Sequence, residues 1–320
     1  MYNHFYGLVR PPFAVTPDPS LLYMSPAHRE ALATITYGVE TRKGFIVCTG
    51  EVGTGKTTLL RAFFDQIDPS IIKIVYIYLP ELTKLQMTRF LCQELGLPPP
   101  RDMFFGIMSL QERLLEYFRN GQTVVLMIDE AQSLRPSTLE FLRQLSNFET
   151  DTDKLLQIVL VGQPELDGLL ARRDLRQVNQ RVALYVRLDS LSQAESLKYI
   201  QFRLKAAGAR DPDAVLTPEA AHLIAREAAG LPRRMNVLAD NVLIAGFGAG
   251  EQPVTARLAR IALGDYHHRY PNGWKGRAVK LFELIRWLAQ PGHAFGVKKD
   301  VAETGTSFVS HEFMAPRSRQ

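Results

Sequence analysis

Cysteine is almost missing from this chain of 320 residues: there are two, Cys48 and Cys92, each in an apolar stretch. That excludes a disulfide framework or thiolate metal cluster and fits buried thiols in a reducing compartment. Long apolar runs are also missing, and none approaches the ~18 residues that a membrane span requires. The opening Met1-Tyr2-Asn3-His4-Phe5-Tyr6 has no basic stretch leading into an apolar core, so no signal peptide is legible and a cytoplasmic location is expected. Nor is there much excess charge, with 38 Lys and Arg against 33 Asp and Glu. Of these, nine and five fall from Asp265 onward, leaving 29 against 28 before it, so the body carries +1 and the tail +4. A near-neutral body argues against a globally basic, DNA-coating protein. With 46% hydrophobic and 22% charged residues, the composition is that of an ordinary globular protein large enough for one big domain or two moderate ones.

What is present is organised around Gly44 to Leu60. Phe45 to Thr49 reads as a buried strand, apolar and bounded by glycines. Gly50-Glu51-Val52-Gly53-Thr54-Gly55-Lys56-Thr57 fits the phosphate-loop pattern G-x-x-x-x-G-K-[ST] at every fixed position. Thr58 follows, and Leu59, Leu60, Phe63 and Phe64 recur at helical spacing. Glycines let successive N–H groups turn onto a polyphosphate, and the helix N-terminus adds its positive dipole end. Lys56 is expected at the β- and γ-phosphates of ATP and the Thr57 hydroxyl on Mg²⁺. The absence of an N-K-x-D guanine-reading run turns the expectation away from GTP.

A second chemical motif lies roughly 70 residues further on. Thr123 to Ile128 is a fully apolar strand ending in Asp129-Glu130-Ala131-Gln132, which delivers two carboxylates to the edge where α/β sheets place their ligands. Asp129 is expected to hold Mg²⁺, directly or through water, and Glu130 to polarise an attacking water. Further strands are read at Ile71–Leu79, Leu155–Val161 and Val182–Leu188, with helices at Lys84–Leu95, Leu110–Phe118 and Ser137–Phe148. Gln163, at the tip of the fourth strand, is either a contact for the γ-phosphate and water or a turn residue before Pro164. Leu169 to Val182 reads as one helix carrying four arginines; these either reach a neighbouring subunit's phosphate or form a solvated face.

Before the loop, the proline-rich opening reads as an extended arm over the core, pinned by Phe5, Phe13 and Leu21. Ser25-Pro26 then starts a helix. Tyr23 and His28 either supply part of an apolar wall for adenine or merely pack the arm. From Asp189 the periodicity is helical only: a capping box at Ser192–Glu195, a cap at Thr217, a helix from Pro232 to Ala245 and another from Thr255. An arginine after Gly230-Leu231-Pro232 can swing back to the phosphates of its own subunit. Tyr266 to Gly276 reads as loop, with His267 and His268 lacking the partners a metal site needs. Lys275 to Ala289 is a basic amphipathic helix that docks on the core, on a partner or on an anionic membrane surface, and disorder is expected from Pro291. The division read is an arm at 1–30, a phosphate-loop core at 31–188, a helical lid at 189–264 and a basic tail at 265–320.

Together these features resemble the AAA+ ATPases, and within them the ExeA/general secretion pathway protein A family. The resemblance rests on Phe5-Tyr6-Gly7-Leu8, Pro12-Phe13, Thr16-Pro17-Asp18-Pro19, the phosphate loop, Ile128-Asp129-Glu130-Ala131-Gln132, Val161-Gly162-Gln163-Pro164-Glu165-Leu166 and Gly230-Leu231-Pro232-Arg233. It covers roughly residues 1–263 and touches transposition ATPases of the TniB/TnsC kind and, more distantly, replication-initiator ATPases. It implies a five-stranded parallel sheet with helices on both faces, a small helical lid, and an ATPase that works as a homo-oligomer on a partner complex. It also implies Gln163 as a sensor-1-like residue, Arg233 as a sensor-2 arginine and Arg181 as the arginine finger acting in trans, with Arg176 as the alternative. Secretion or exopolysaccharide and envelope export is the setting implied. The tail carries no legible peptidoglycan-binding domain or membrane span, which counts against direct cell-wall remodelling. A DNA-dependent regulator and an ATP-gated scaffold with little turnover are the rival readings.

Overall fold

The computed structural model describes residues 2–14, 21–78 and 81–269, with the side chains of 267–269 excepted. The expectations placed on 15–20, on Leu79, on the paired histidines' side chains and on everything from Tyr270, including the tail helix, lie outside them.

Five strands, β1 (Phe45–Gly50), β2 (Ile72–Ile77), β3 (Thr123–Ile128), β4 (Leu156–Gly162) and β5 (Val182–Leu188), form one parallel sheet in the order β2-β3-β4-β1-β5. The three central strands are buried along their whole length, which is why they read as unbroken apolar runs. The edge strand β5 alternates instead, with Tyr185 and Arg187 exposed and Val186 and Leu188 buried. On one face Phe45, Val47, Leu126 and Ile158 pack under α4 (Lys84–Glu94), α5 (Met103–Arg119) and α6 (Pro136–Leu145). On the other, Ile46, Cys48, Met127 and Val159 meet α2 (Pro26–Glu40) and α3 (Lys56–Gln66). Both cysteines are buried free thiols, and burial pushes Cys48 up to about 12 and Cys92 up to about 11.

Register sets up the site. Ile128 pairs with Leu160, and Thr49 with Gly162, so Gly50, Asp129 and Gln163 leave the sheet side by side at its C-terminal edge. Among parallel strands that edge is where chain reversals cluster and ligands bind.

Four helices, α9 (Gln193–Ala206), α10 (Pro218–Ala228), α11 (Pro232–Ala249) and α12 (Ala256–Arg269), enclose a separate apolar core of Ile200, Leu204, Ile224, Leu238, Val242 and Ala259. The capping box Ser192–Glu195 is formed on both sides, and Thr217 caps α10.

Three expectations are corrected. The arm does not lie extended over the sheet domain. It begins with a helical turn, α1 (Tyr2–Phe5), and its Tyr6, Leu8 and Phe13 are buried in the core of the four helices. Polar contacts explain the preference: Tyr2 Oη donates to Asp240 at 2.5 Å and Tyr6 Oη to the Leu243 carbonyl at 2.9 Å. The buried Arg203 guanidinium donates to the carbonyls of Pro12 at 2.6 Å and Ala14 at 3.0 Å. Next, the arginine-rich stretch is not one helix but α7 (Glu165–Leu170), a 3₁₀ turn at Arg173–Leu175 and α8 (Arg176–Asn179). Leu170, Leu175 and Val178 are all buried, each carried by a different one of these short elements. Finally, Tyr266 to Arg269 is not loop but the last turn of α12. A smaller difference is the length of α5, which starts at Met103 because Asp102 caps it, accepting from the Phe105 N–H at 3.1 Å.

Replacing Arg203 by Ala strands two carbonyls of the arm beside an apolar core. A loss of about 3 kcal/mol is expected, measured by denaturant unfolding, with no effect beyond 0.5 kcal/mol or so from exposed Arg210 to Ala as the control.

Candidate nucleotide-binding site

β1 delivers Gly50 to the sheet edge, and the chain then turns back into α3 through two glycines in the left-handed region, Gly53 at φ 86° and Gly55 at φ 104°. No side chain caps α3, so its first N–H groups face the loop's concavity with the positive end of the helix behind them. Lys56, buried at the first helical position, donates from Nζ to the carbonyls of Gly50 at 2.6 Å and Glu51 at 3.0 Å. Thr57 and Thr58 follow in the first turn, half-buried. Glu51 and Val52 are exposed at the loop's crest, and Thr54, buried, closes its inner turn by donating from Oγ1 to the Glu51 carbonyl at 2.8 Å.

The strand tips bring the acids to this loop. Asp129 accepts from the Glu130 N–H at 2.8 Å through Oδ1 and from Tyr76 Oη at 3.2 Å through Oδ2. Burial and the neighbouring Asp129 hold the Tyr76 phenol well above its ordinary range, so it remains a donor. Glu130 adopts left-handed backbone at φ 53°, rare for a residue with a side chain, and this turns its carboxylate over the tip of β4. There Glu130 Oε2 accepts from Gln163 Nε2 at 2.9 Å and from Gln132 Nε2 at 2.8 Å, while Gln132 Oε1 accepts from the Gln163 N–H at 3.0 Å. Gln163 thus lies against Glu130 at the sheet edge.

Arg233, at the start of α11, is also at the loop. Its N–H meets the Gly53 carbonyl at 3.4 Å, and a Cβ added to Gly53 would come within 3.0 Å of the Arg233 Cβ. The four-helix part therefore contributes directly to the loop's surroundings. Arg181 and Arg176 are exposed. Arg181 precedes Val182, which pairs with Phe45 at the opposite edge of the sheet, about 20 Å of strand away from the loop.

Tyr23 packs its ring against Tyr199 and Phe202 of α9, at centroid distances of 5.7 and 5.6 Å. His28 is buried beneath the loop, hydrogen-bonded to the Thr54 carbonyl at 3.0 Å. Burial lowers its pKa, so the ring is neutral at pH 7. The sequence reading gave Gln132, the last residue of its acidic motif, no role, and did not single out Tyr76. Gln132 had no signal beyond its place two residues after Glu130, and Tyr76 none beyond alternation within β2, because only the register of the sheet brings either one to the acids.

Residues fit for Mg²⁺ are few. Among the described residues no group of three or more His, Cys, Asp or Glu is placed to hold a metal ion. Thr57 and Asp129, one hydroxyl and one carboxylate, suit an ion that keeps most of its waters and takes further oxygens from phosphates. No helix of the described residues is long and apolar enough to cross a membrane.

Fold and site together define an AAA+ protein, and a sequence family described as AAA domain matches residues 39–170. In fold the chain is similar to the ORC2 protein of Aeropyrum pernix, solved as ADPNP-ADP complexes, with a TM-score of 0.59 at 19% identity over 80% of this chain and 71% of that one. It is similar also to Cdc6p from Pyrobaculum aerophilum, with a TM-score of 0.57 at 18% identity over 79% of this chain and 72% of that one. At such identities the likeness is one of fold. A nearer relation in sequence is General secretion pathway protein A of Aeromonas hydrophila, 42% identical over 256 residues. The chain is an AAA+ protein related to it. The match takes in 79% of this chain and 46% of the relative, so the chain spans about half the length of the curated protein it matches.

Gly55 to Ala tests the loop's geometry. The new Cβ meets left-handed backbone and lies 2.6 Å from His28 Nε2. A loss of about 2–4 kcal/mol is expected in denaturant unfolding. In a double-mutant cycle, truncating His28 should return part of it and leave the backbone strain.

Proposed function

We propose that this chain binds Mg·ATP at the phosphate loop and hydrolyses it, as a homo-oligomer that drives assembly or remodelling of a partner complex. The observation that carries this reading is the meeting of three elements at one sheet edge: the left-handed loop with Lys56, the Asp129–Glu130 pair, and Gln163 bonded to Glu130 at 2.9 Å.

The roles follow from placement. Backbone N–H groups from Gly53 to Thr58 bind phosphate oxygens, and Lys56 moves from the loop carbonyls to the β- and γ-phosphates. Thr57 and Asp129 would hold Mg²⁺, which would supply neutralisation of the phosphate charge. Glu130 accepts a proton from the attacking water, and Gln163, tied to the same carboxylate, orients that water and contacts the γ-phosphate. Arg233, already against Gly53, offers its guanidinium to the phosphates of its own subunit. The finger that stabilises charge at the leaving phosphate comes from a neighbour, with Arg181, exposed and far from its own loop, preferred and the exposed Arg176 second.

The similarity to General secretion pathway protein A supports a setting in secretion or envelope export, with the tail as the element that meets a protein partner. Nucleotide complexes of the ORC2 protein support adenine nucleotide as the ligand.

Steady-state ATP turnover per subunit is expected to rise with protein concentration, because each site is completed by a neighbour. A flat, slow rate would count for a gated scaffold instead. Lys56 to Ala should abolish ATP binding. Glu130 to Gln should keep binding and lower kcat by about a hundredfold or more, with the oligomer persisting in size-exclusion chromatography; normal turnover would displace Glu130 as the base.

A further inference from the structure

The phosphate loop rests on a side chain from outside the motif. His28, in the first turn of α2, is 2% exposed and has a hydrogen-bond partner on each ring nitrogen. Nε2 lies 3.0 Å from the Thr54 carbonyl oxygen and Nδ1 lies 2.7 Å from Ser25 Oγ. A carbonyl only accepts, so Nε2 carries the proton, and Nδ1 is left to accept from the Ser25 hydroxyl. Ser25 Oγ also accepts from the His28 N–H at 3.3 Å, as cap of α2, so ring and helix start fix each other.

The consequence for the loop follows from the planarity of one peptide. In a trans peptide the C=O and the following N–H point in opposite directions. Drawing the Thr54 carbonyl down onto His28 therefore turns the Gly55 N–H the other way, into the concavity. Gly55 allows the ring to come this close: its left-handed backbone needs no Cβ, and a Cβ there would stand 2.6 Å from Nε2. The ring and the glycine occupy complementary space.

We propose that His28 is a positioning residue for the phosphate loop, holding the Thr54–Gly55 peptide with its N–H toward the bound polyphosphate and so setting affinity for adenine nucleotides. This deepens the reading of the loop as a nucleotide site and rests on it. Ser25 acts one step further back, by fixing the tautomer. Because the neutral ring makes no contact with the reacting atoms, it governs binding more than the chemical step.

The test uses the full chain, with ADP titrated calorimetrically and ATP turnover followed in steady state. His28 to Ala should weaken ADP binding about tenfold and raise KM for ATP by a similar factor, leaving kcat within about twofold. His28 to Gln, whose amide N–H can reach the same carbonyl, should recover most of the loss. An unaltered ADP affinity in His28 to Ala overturns the proposal. So does a His28 to Gln variant as weak as Ala with an equal fall in unfolding temperature, which would mark a packing role alone. Wild-type protein that fails to bind ADP removes the reading of the loop itself, a distinct outcome that takes this inference with it. Should the Ala variant not fold, ¹⁵N spectra of the wild-type ring decide: a neutral Nε2–H tautomer whose signal shifts on adding ADP supports the assignment, and an Nδ1–H tautomer or a signal indifferent to ADP overturns it.

Discussion

Holding a polyphosphate on backbone alone requires several consecutive N–H groups to converge on one point, and ordinary L-residues resist the left-handed turns this takes. The loop after β1 meets that requirement with Gly53 and Gly55, and the surrounding structure keeps it from relaxing. From behind, β1 is buried between two strands. From below, His28 of α2 takes the Thr54 carbonyl. From the side, Arg233 of α11 packs on Gly53. Three separate parts of the chain thus press on the loop, which is how a flexible composition becomes a single shape.

The acids depend on a different constraint. β3 and β4 are neighbours in exact parallel register along their length, so the residues following each strand emerge within hydrogen-bonding reach. Glu130's left-handed turn then closes a ring of bonds with Gln132 and Gln163. A carboxylate tied by two amide donors in a half-buried setting keeps one orientation, which suits the general-base role proposed for it. Tyr76 does the equivalent for Asp129 from the far side, across β2.

The four-helix part is tied to the beginning of the chain as firmly as to the sheet. Tyr2, Tyr6 and the carbonyls of Pro12 and Ala14 are bonded to α9 and α11, more than 180 residues away in sequence. The arm is therefore part of the same body as Arg233, whereas α2, which carries His28, packs on the sheet. A shift of the helical part relative to the sheet would be felt at Gly53, through Arg233.

Much of this was legible because it is local. Sterics alone make Gly53 and Gly55 a turn, apolar runs without alternation make β1, β3 and β4 central strands, and Ser192 with Glu195 starts a helix wherever it occurs. The phosphate loop, the Asp129–Glu130 pair and the lid's helices are all properties of short windows. What tertiary structure decided are matters of distance between windows. Whether the arm covered the sheet or the helices turned on Arg203, a residue some 190 positions away with carbonyls to satisfy. The break within Leu169–Val182 lies between elements that each bury a residue in the core under the sheet, Leu170, Leu175 and Val178. His28 could be read as an adenine contact or as packing of the arm, and only the folded α2 brings its ring under Thr54. A sequence states which backbone turns are permitted; which side chain stands beneath a given carbonyl is settled when distant segments compete for the same buried space.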